Sequence, residues 1–231
     1  MVVRQSALRL VLNLIFPARC IGCRGRGSWL CVSCQAKLTP LPAEHCKVCA
    51  LPVQGVLSCS ACWRDPPAFD SLTCGFLFEG IIRDAIHRLK YRGERHLATP
   101  IMQALLKRVE VKDDVDAIVP IPLHAQRLQQ RGYNQSALLA QSLSAVLNVP
   151  VVEEYLSRVR DTTPQVSLPA ARRRENVHNA FRVASRVEGS RILLVDDVAT
   201  TGSTLRAAAS ALKRAGATRV DALIIARAPK A

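Results

Sequence analysis

The chain has 231 residues and a mass of 25.3 kDa, enough for one ordinary α/β domain plus a small accessory unit and too little for three separate cores. Lys and Arg number 32 against 18 Asp and Glu, a formal charge of +14, so the expected partners are anionic: phosphate-bearing small molecules, nucleic acid or an acidic surface. Arginine supplies 25 of those positive charges, which favours bidentate oxyanion recognition, and apolar residues at 49% exclude wholesale disorder.

Residues 1–16 come first. Leu8, Val11, Leu12 and Ile15 recur at i, i+3, i+4 and i+7, which predicts an amphipathic helix ended by Pro17 and packed on the protein's own body. Arg9 and Asn13 interrupt the apolar run and no small-residue cleavage site follows, so the chain is expected in the cytoplasm, without membrane insertion.

Eight of the nine cysteines fall in four C-x-x-C pairs: Cys20/Cys23, Cys31/Cys34, Cys46/Cys49 and Cys59/Cys62. Each pair lets two thiolates converge on one tetrahedral ion from a tight turn, and two pairs complete a four-sulfur zinc site. Two structural zinc ions are therefore expected. Disulfides do not suit a reducing compartment, and a redox motif needs a βαβ context absent here. Sequential pairing is the simpler zinc-ribbon arrangement, although spacing alone also permits interleaving. Residues 17–67 hold few large aliphatics and many Gly, Pro and Ser, so metal is expected to supply the folding energy. Cys74 stands alone in the apolar stretch 72–78 and is expected to be a buried structural thiol.

From residue 69 onward, apolar runs alternate with helical periodicity. Strands are expected at 71–78, 115–119, 191–196 and 219–226. One amphipathic helix is marked by Leu139, Leu143, Val146 and Leu147, another by Leu205, Ala208, Ala209 and Leu212 before Gly216. Such alternation predicts an α/β fold with a parallel sheet covered by helices on both faces, ligands binding beyond the carboxyl ends of its strands. The expected organisation is a helix over 1–16, a double zinc ribbon over 17–68 and an α/β domain over 69–231.

The segment RILLVDDVATTGSTL at 191–205 carries most of the functional signal. A buried-type strand runs into two acids and then into a small, hydroxyl-rich turn that opens a helix. Thr200, Thr201, Gly202, Ser203 and Thr204 would present N–H groups and hydroxyls at a helix N-terminus, where the dipole favours an anion. Asp196 and Asp197 are suited to accepting hydrogen bonds from two vicinal hydroxyls of a sugar. A phosphorylated ribose satisfies both halves. No P-loop or dinucleotide-type glycine signature is present. Arg127 and Arg131 follow the second expected strand at i, i+4, one helical face on which two guanidinium groups can grip a diphosphate. Lys90 and Arg92, beside Tyr91 and Gly93, are candidates to supplement that grip.

The stretch VDDVATTGST at 195–204 resembles the diphosphoribosyl-binding motif of type I phosphoribosyltransferases. Together with the cysteine pairs it resembles the ComF/GntX family of competence and DNA-utilisation proteins. Further resemblance lies in HRLKYRGER at 87–95, VPIPLHAQRLQQRGYNQ at 119–135 and TPQVSLPAARRRENVHNAF at 163–181. The resemblance implies a type I phosphoribosyltransferase-like fold, with Asp196 and Asp197 on the ribose hydroxyls of Mg-bound phosphoribosyl diphosphate and 200–204 on its 5-phosphate. It also implies a diphosphate loop after the first core strand, a mobile lid over 160–178 and a role in using external DNA.

Three functions fit these expectations. Catalysis would transfer phosphoribosyl to a nitrogenous base; the resemblance implies a hood that selects the base, but the residues after Gly216 are mostly the last expected strand and identify no base pocket. A non-catalytic sensor of phosphoribosyl diphosphate or a nucleotide makes the same site predictions. Direct handling of DNA, or docking to DNA-uptake machinery, is the third. Few aromatics remain from Tyr91 onward, namely Tyr91, Tyr133, Tyr155 and Phe181, a poor platform for stacking bases.

Overall fold

The computed structural model describes residues 17–159, 180–184 and 187–229. The helix expected over 1–16 and the basic stretch 160–178 lie outside the described residues. In chain order the strands are β1 (Ser71–Leu77), β2 (Ala117–Pro120), β3 (Leu156–Arg158), β4 (Phe181–Val183), β5 (Arg191–Ala199) and β6 (Arg219–Arg227). The α-helices are α1 (Val32–Gln35), α2 (Ser60–Arg64), α3 (Gly80–Tyr91), α4 (Ala98–Leu106), α5 (Ala125–Arg131), α6 (Gln135–Leu147) and α7 (Ser203–Arg214).

The main sheet has the order β1-β6-β5-β2, with every neighbouring pair parallel. Helices α3, α4 and α6 cover one face, meeting Leu193, Val195, Leu223 and Ile225 in one buried cluster. Helix α7 covers the other, against Ile192, Leu194, Ala222 and Ile224. Burial on both faces explains why Ile192–Val195 reads as a continuous apolar run rather than an alternating one. The antiparallel pair β3-β4 forms a second small sheet. Its strands of three residues each are too short for a period-two pattern, and the sequence gives no sign of them.

The four expected strands and both helices are present; β2 begins at Ala117 rather than at 115, and two further differences bear on the site and the core. Strand β5 does not stop at Asp196 but runs to Ala199, because β6 continues beside it and pairs Val198 with Ala226 and Ala199 with Arg227. Val146, expected on the buried stripe of α6, is 60% exposed. It lies on the rim of a groove of about 410 Å³ between α4 and α6. The stripe buried on α6 is instead Ser136, Leu139, Ala140 and Leu143. On α7, Leu205, Ala208, Ala209 and Leu212 are all buried as their spacing predicted.

The cysteine-rich segment does not fold on metal alone. Cys20, Leu30, Cys34 and Leu38 belong to the same buried cluster as Phe76 of β1. Leu77 N–H donates to Thr39 O and Leu41 N–H to Gly75 O, both at 3.0 Å. Residues 39–41 thereby lie along the outer edge of β1 and satisfy backbone groups that an open edge would leave bare. Among the described residues no helix is long and apolar enough to cross a membrane.

Candidate functional site

The carboxyl ends of β5 and β6 gather the chemistry-bearing side chains. Asp196 and Asp197 are 9% and 2% exposed, inside the strand rather than beyond its end. Ser136 Oγ donates to Asp196 Oδ1 at 2.9 Å, and the Asp197 N–H donates to the same oxygen at 2.9 Å. Burial, with the charge of Asp197 next to it, pushes the Asp196 carboxyl up to about 7. Asp197 Oδ1 lies 2.8 Å from Lys90 Nζ, while its buried Oδ2 has no partner among the described residues. Burial works to lower the Lys90 pKa, but the charge and hydrogen bond of Asp197 outweigh it and the net shift is upward.

Ser136, which Asn134 positions, is not among the residues expected from the sequence. The Asn134 side chain caps α6, accepting from the Ser136 N–H at 3.1 Å, and donates to Ile121 O at 3.0 Å, beside the end of β2. The Asn-x-Ser order at a helix start was the available signal. Arg227, the last residue of β6, was also missed; a lone arginine closing the apolar run Leu223–Ala226 could have marked it.

After β5 the turn 200–202 leads into α7. Gly202 is the N-cap residue at φ 77°, a left-handed conformation that favours glycine. Thr200 and Thr201 are exposed, and Gly202, Ser203 and Thr204 are half-buried. Thr201 Oγ1 accepts from the Ser203 N–H at 3.3 Å and lies 2.9 Å from Ser203 Oγ. The first N–H groups of a helix have no intrahelical partner, so this turn offers donors and the positive end of a helix dipole next to two carboxylates. Such an arrangement can take an anion on one side and polar hydrogens on the other.

The expected diphosphate-binding side chains come together only in part. Arg131 donates to Gln135 Oε1, and its guanidinium lies 5.3 Å from the centroid of the Tyr91 ring, next in sequence to Lys90. Arg95 reaches Gly132 O at 3.2 Å, and the Tyr133 hydroxyl donates to Leu89 O. The segments 87–95 and 131–135 therefore meet in space, although 35 residues separate them. Arg127 is half-buried on the same short helix as Arg131, and Arg92 is exposed just beyond α3. Lys90 holds Asp197.

The eight paired cysteines form two clusters, Cys20/Cys23/Cys31/Cys34 and Cys46/Cys49/Cys59/Cys62, the sulfurs of each within 4.8 Å of one another. The pairs combine in sequence order. Sulfur separations of 3.6, 3.7 and 3.8 Å for Cys20–Cys31, Cys23–Cys31 and Cys49–Cys59 match the edge of a tetrahedron built on a Zn–S bond of about 2.3 Å. The two clusters share one local design. The Cys31 and Cys59 N–H groups donate to Cys20 Sγ at 3.4 Å and Cys46 Sγ at 3.3 Å. Arg24 and Ala50, each four residues after the first cysteine, are both left-handed. Burial raises the Cys20 and Cys46 thiols, but these and neighbouring N–H groups outweigh it and lower both to about 6. The residues present fit zinc thiolates. Cys74 is buried, with its thiol pushed up to about 12 by that burial.

The second cluster also meets the α/β unit, where Val48 packs on both the sulfurs and the buried core and one arginine reaches across. Arg206 of α7 donates to Cys62 Sγ at 3.1 Å and to Asp65 O at 2.6 Å, while its own N–H bonds Gly202 O at 3.0 Å.

Fold and site define a phosphoribosyltransferase-type α/β chain carrying a double zinc ribbon. Residues 134–231 match the phosphoribosyl transferase domain model and residues 11–65 the double zinc ribbon domain model. Competence protein F of Haemophilus influenzae is 34% identical over 227 residues, 92% of this chain and 98% of that protein. DNA utilization protein YhgH of Escherichia coli is 34% identical over 224 residues, 93% of this chain and 99% of its own. Competence protein ComFC of Bacillus subtilis is 27% identical, covering 81% of this chain and 79% of that protein. The chain belongs to the ComF/GntX family of competence and DNA-utilisation proteins.

Proposed function

We propose that this chain binds phosphoribosyl diphosphate with Mg at the carboxyl ends of β5 and β6, and that it serves the competence and DNA utilisation that its relatives' names denote, through the use of external DNA. The carrying observation is the juxtaposition of two buried carboxylates, one with an orphan oxygen, and the left-handed Gly202 turn at the start of α7. The acids would accept the ribose hydroxyls, and Thr200, Thr201, Gly202, Ser203 and Thr204 would cradle the 5-phosphate. Lys90 and Arg131 would face the diphosphate, with Arg127 and Arg92 as outer members of the same positive rim. Mg characteristically binds one or two carboxylates together with substrate phosphates, a donor set that Asp196 and Asp197 can complete.

If a base accepts the sugar, positive groups at the leaving diphosphate and carboxylates near an oxocarbenium-like ribose are what the transition state requires. A sensor would use the same groups without an acceptor. The working unit would be the α/β domain over 69–231 with the ribbon over 17–68 docked on its β1 edge, acting in the cytoplasm. DNA, or proteins of an uptake apparatus, would be partners of the process rather than ligands of this cleft. The test is equilibrium binding of phosphoribosyl diphosphate with and without Mg: saturable binding strengthened by Mg is expected, and no binding in either condition overturns the proposal. Screening nucleobases for diphosphate release then separates enzyme from sensor.

A further inference from the structure

Arg227 ends β6 at 2% exposure, and its Nε and Nη1 have no hydrogen-bond partner among the described residues. At the opposite end of the same strand Arg219 pairs with Asp114 and Asp221, each at 2.6 Å. That is how buried guanidinium groups are normally accommodated, since arginine stays protonated and a buried unpaired charge is costly. Among the described residues Arg227 has no such carboxylate. The Cys74 thiol senses its charge but remains neutral, because burial pushes it up to about 12.

What Arg227 does face is the turn. A Cβ built on Gly202 would lie 3.7 Å from Arg227 Nη1, and Arg227 is in register with Ala199, the residue immediately before Thr200. The start of α7 and an uncompensated cation thus converge on one point from two elements. The hydroxyls and N–H groups of 200–204 are neutral donors, whereas a phosphate monoester carries up to two negative charges near neutral pH. A fixed positive charge directly behind the turn supplies the missing complement.

We infer that Arg227 is the buried counter-charge for a phosphate monoester held at 200–204, acting through the Gly202 turn rather than as an exposed ligand. This rests on the phosphoribosyl diphosphate reading and adds to it a residue outside the 195–204 motif. With no partner for this charge among the described residues, Arg227 is expected to lower the stability of the free protein and to contribute only when the anion arrives. A structural arginine would behave in the opposite way.

The test measures melting temperature and the affinity for ribose 5-phosphate and for Mg-phosphoribosyl diphosphate in wild type, Arg227→Met and Arg227→Lys. Arg227→Met is expected to melt at or above the wild-type temperature and to bind both ligands about tenfold more weakly or worse, by a similar factor, since both carry the 5-phosphate. Arg227→Lys, which keeps the charge, should recover most of the affinity. A folded Arg227→Met with unchanged affinity overturns the inference, and so does a marked fall in melting temperature, which would reveal a structural partner. If wild type binds neither ligand, the phosphoribosyl reading itself falls. If wild type binds and Asp196→Asn plus Asp197→Asn abolishes binding while Arg227→Met does not, only the role of Arg227 is lost.

Discussion

Lys90 Nζ and Asp197 Oδ1 stand 2.8 Å apart, the side chains 19% and 3% exposed, so a cation near the end of α3 neutralises one of the two acids in β5. The pair joins segments more than 100 residues apart in sequence and leaves the second oxygen of Asp197 without a partner among the described residues. On the proposed reading, Lys90 would be shared between Asp197 and the phosphate groups of the ligand.

Removing one partner of this pair leaves the other charge buried. Lys90→Met should destabilise the free protein by about 3 kcal/mol, and Asp197→Asn in the same background should restore much of that loss. Denaturant titrations of the two single variants and the double variant measure the coupling; strictly additive effects would show that the contact contributes nothing.

Asp196 gives a prediction with a definite sign in pH. Its carboxyl is held at about 7 when folded, well above the usual carboxylate range, so the folded state keeps a proton that the unfolded chain releases. The free protein therefore loses stability from this group as pH rises from the unfolded value through about 7, and none is lost below the unfolded value. Asp196→Asn should stabilise the free protein at pH 8, on the order of 3 kcal/mol, and make little difference near pH 4. Thermal melts at the two pH values check this, and an equal shift at both would contradict it.

How much of this was legible beforehand follows from what makes a sequence pattern. Apolar runs buried on both faces announced β1, β2, β5 and β6, and repeated C-x-x-C spacing announced both sulfur clusters. Where β5 ends was hidden, because Asp196 and Asp197 look like terminators until β6 is seen to run alongside to Arg227. Ser136 and Arg227 act through contacts with residues distant in sequence, so neither could be assigned a role without the fold. The same holds for the docking of 39–41 on β1, which rests on backbone groups alone.

Metal content tests the ribbons. The purified protein should carry two zinc ions per chain, and chelation should lower its melting temperature. Because Arg206 bridges Cys62 Sγ to the helix that starts at Gly202, Cys62→Ser should also speed hydrogen exchange in the first turn of α7. Undiminished protection there would mean that the bridge does not transmit.

Gly202 sits at φ 77° with only van der Waals contact waiting for an added Cβ, so the cost of Gly202→Ala is in the backbone, about 1 kcal/mol. Its effect on affinity for ribose 5-phosphate should be larger than this small loss of stability, because the N–H groups of this turn are the proposed anion donors and an added Cβ would stand 3.7 Å from Arg227 Nη1. A variant that binds normally would place the phosphate elsewhere.

The most direct measurement is calorimetric titration of Mg-phosphoribosyl diphosphate into wild type and into the Asp196→Asn plus Asp197→Asn variant, both folded and zinc-loaded. Saturable binding by wild type and none by the variant is the predicted result. Equal affinity in the two proteins would contradict the assignment of the ribose to the β5 acids.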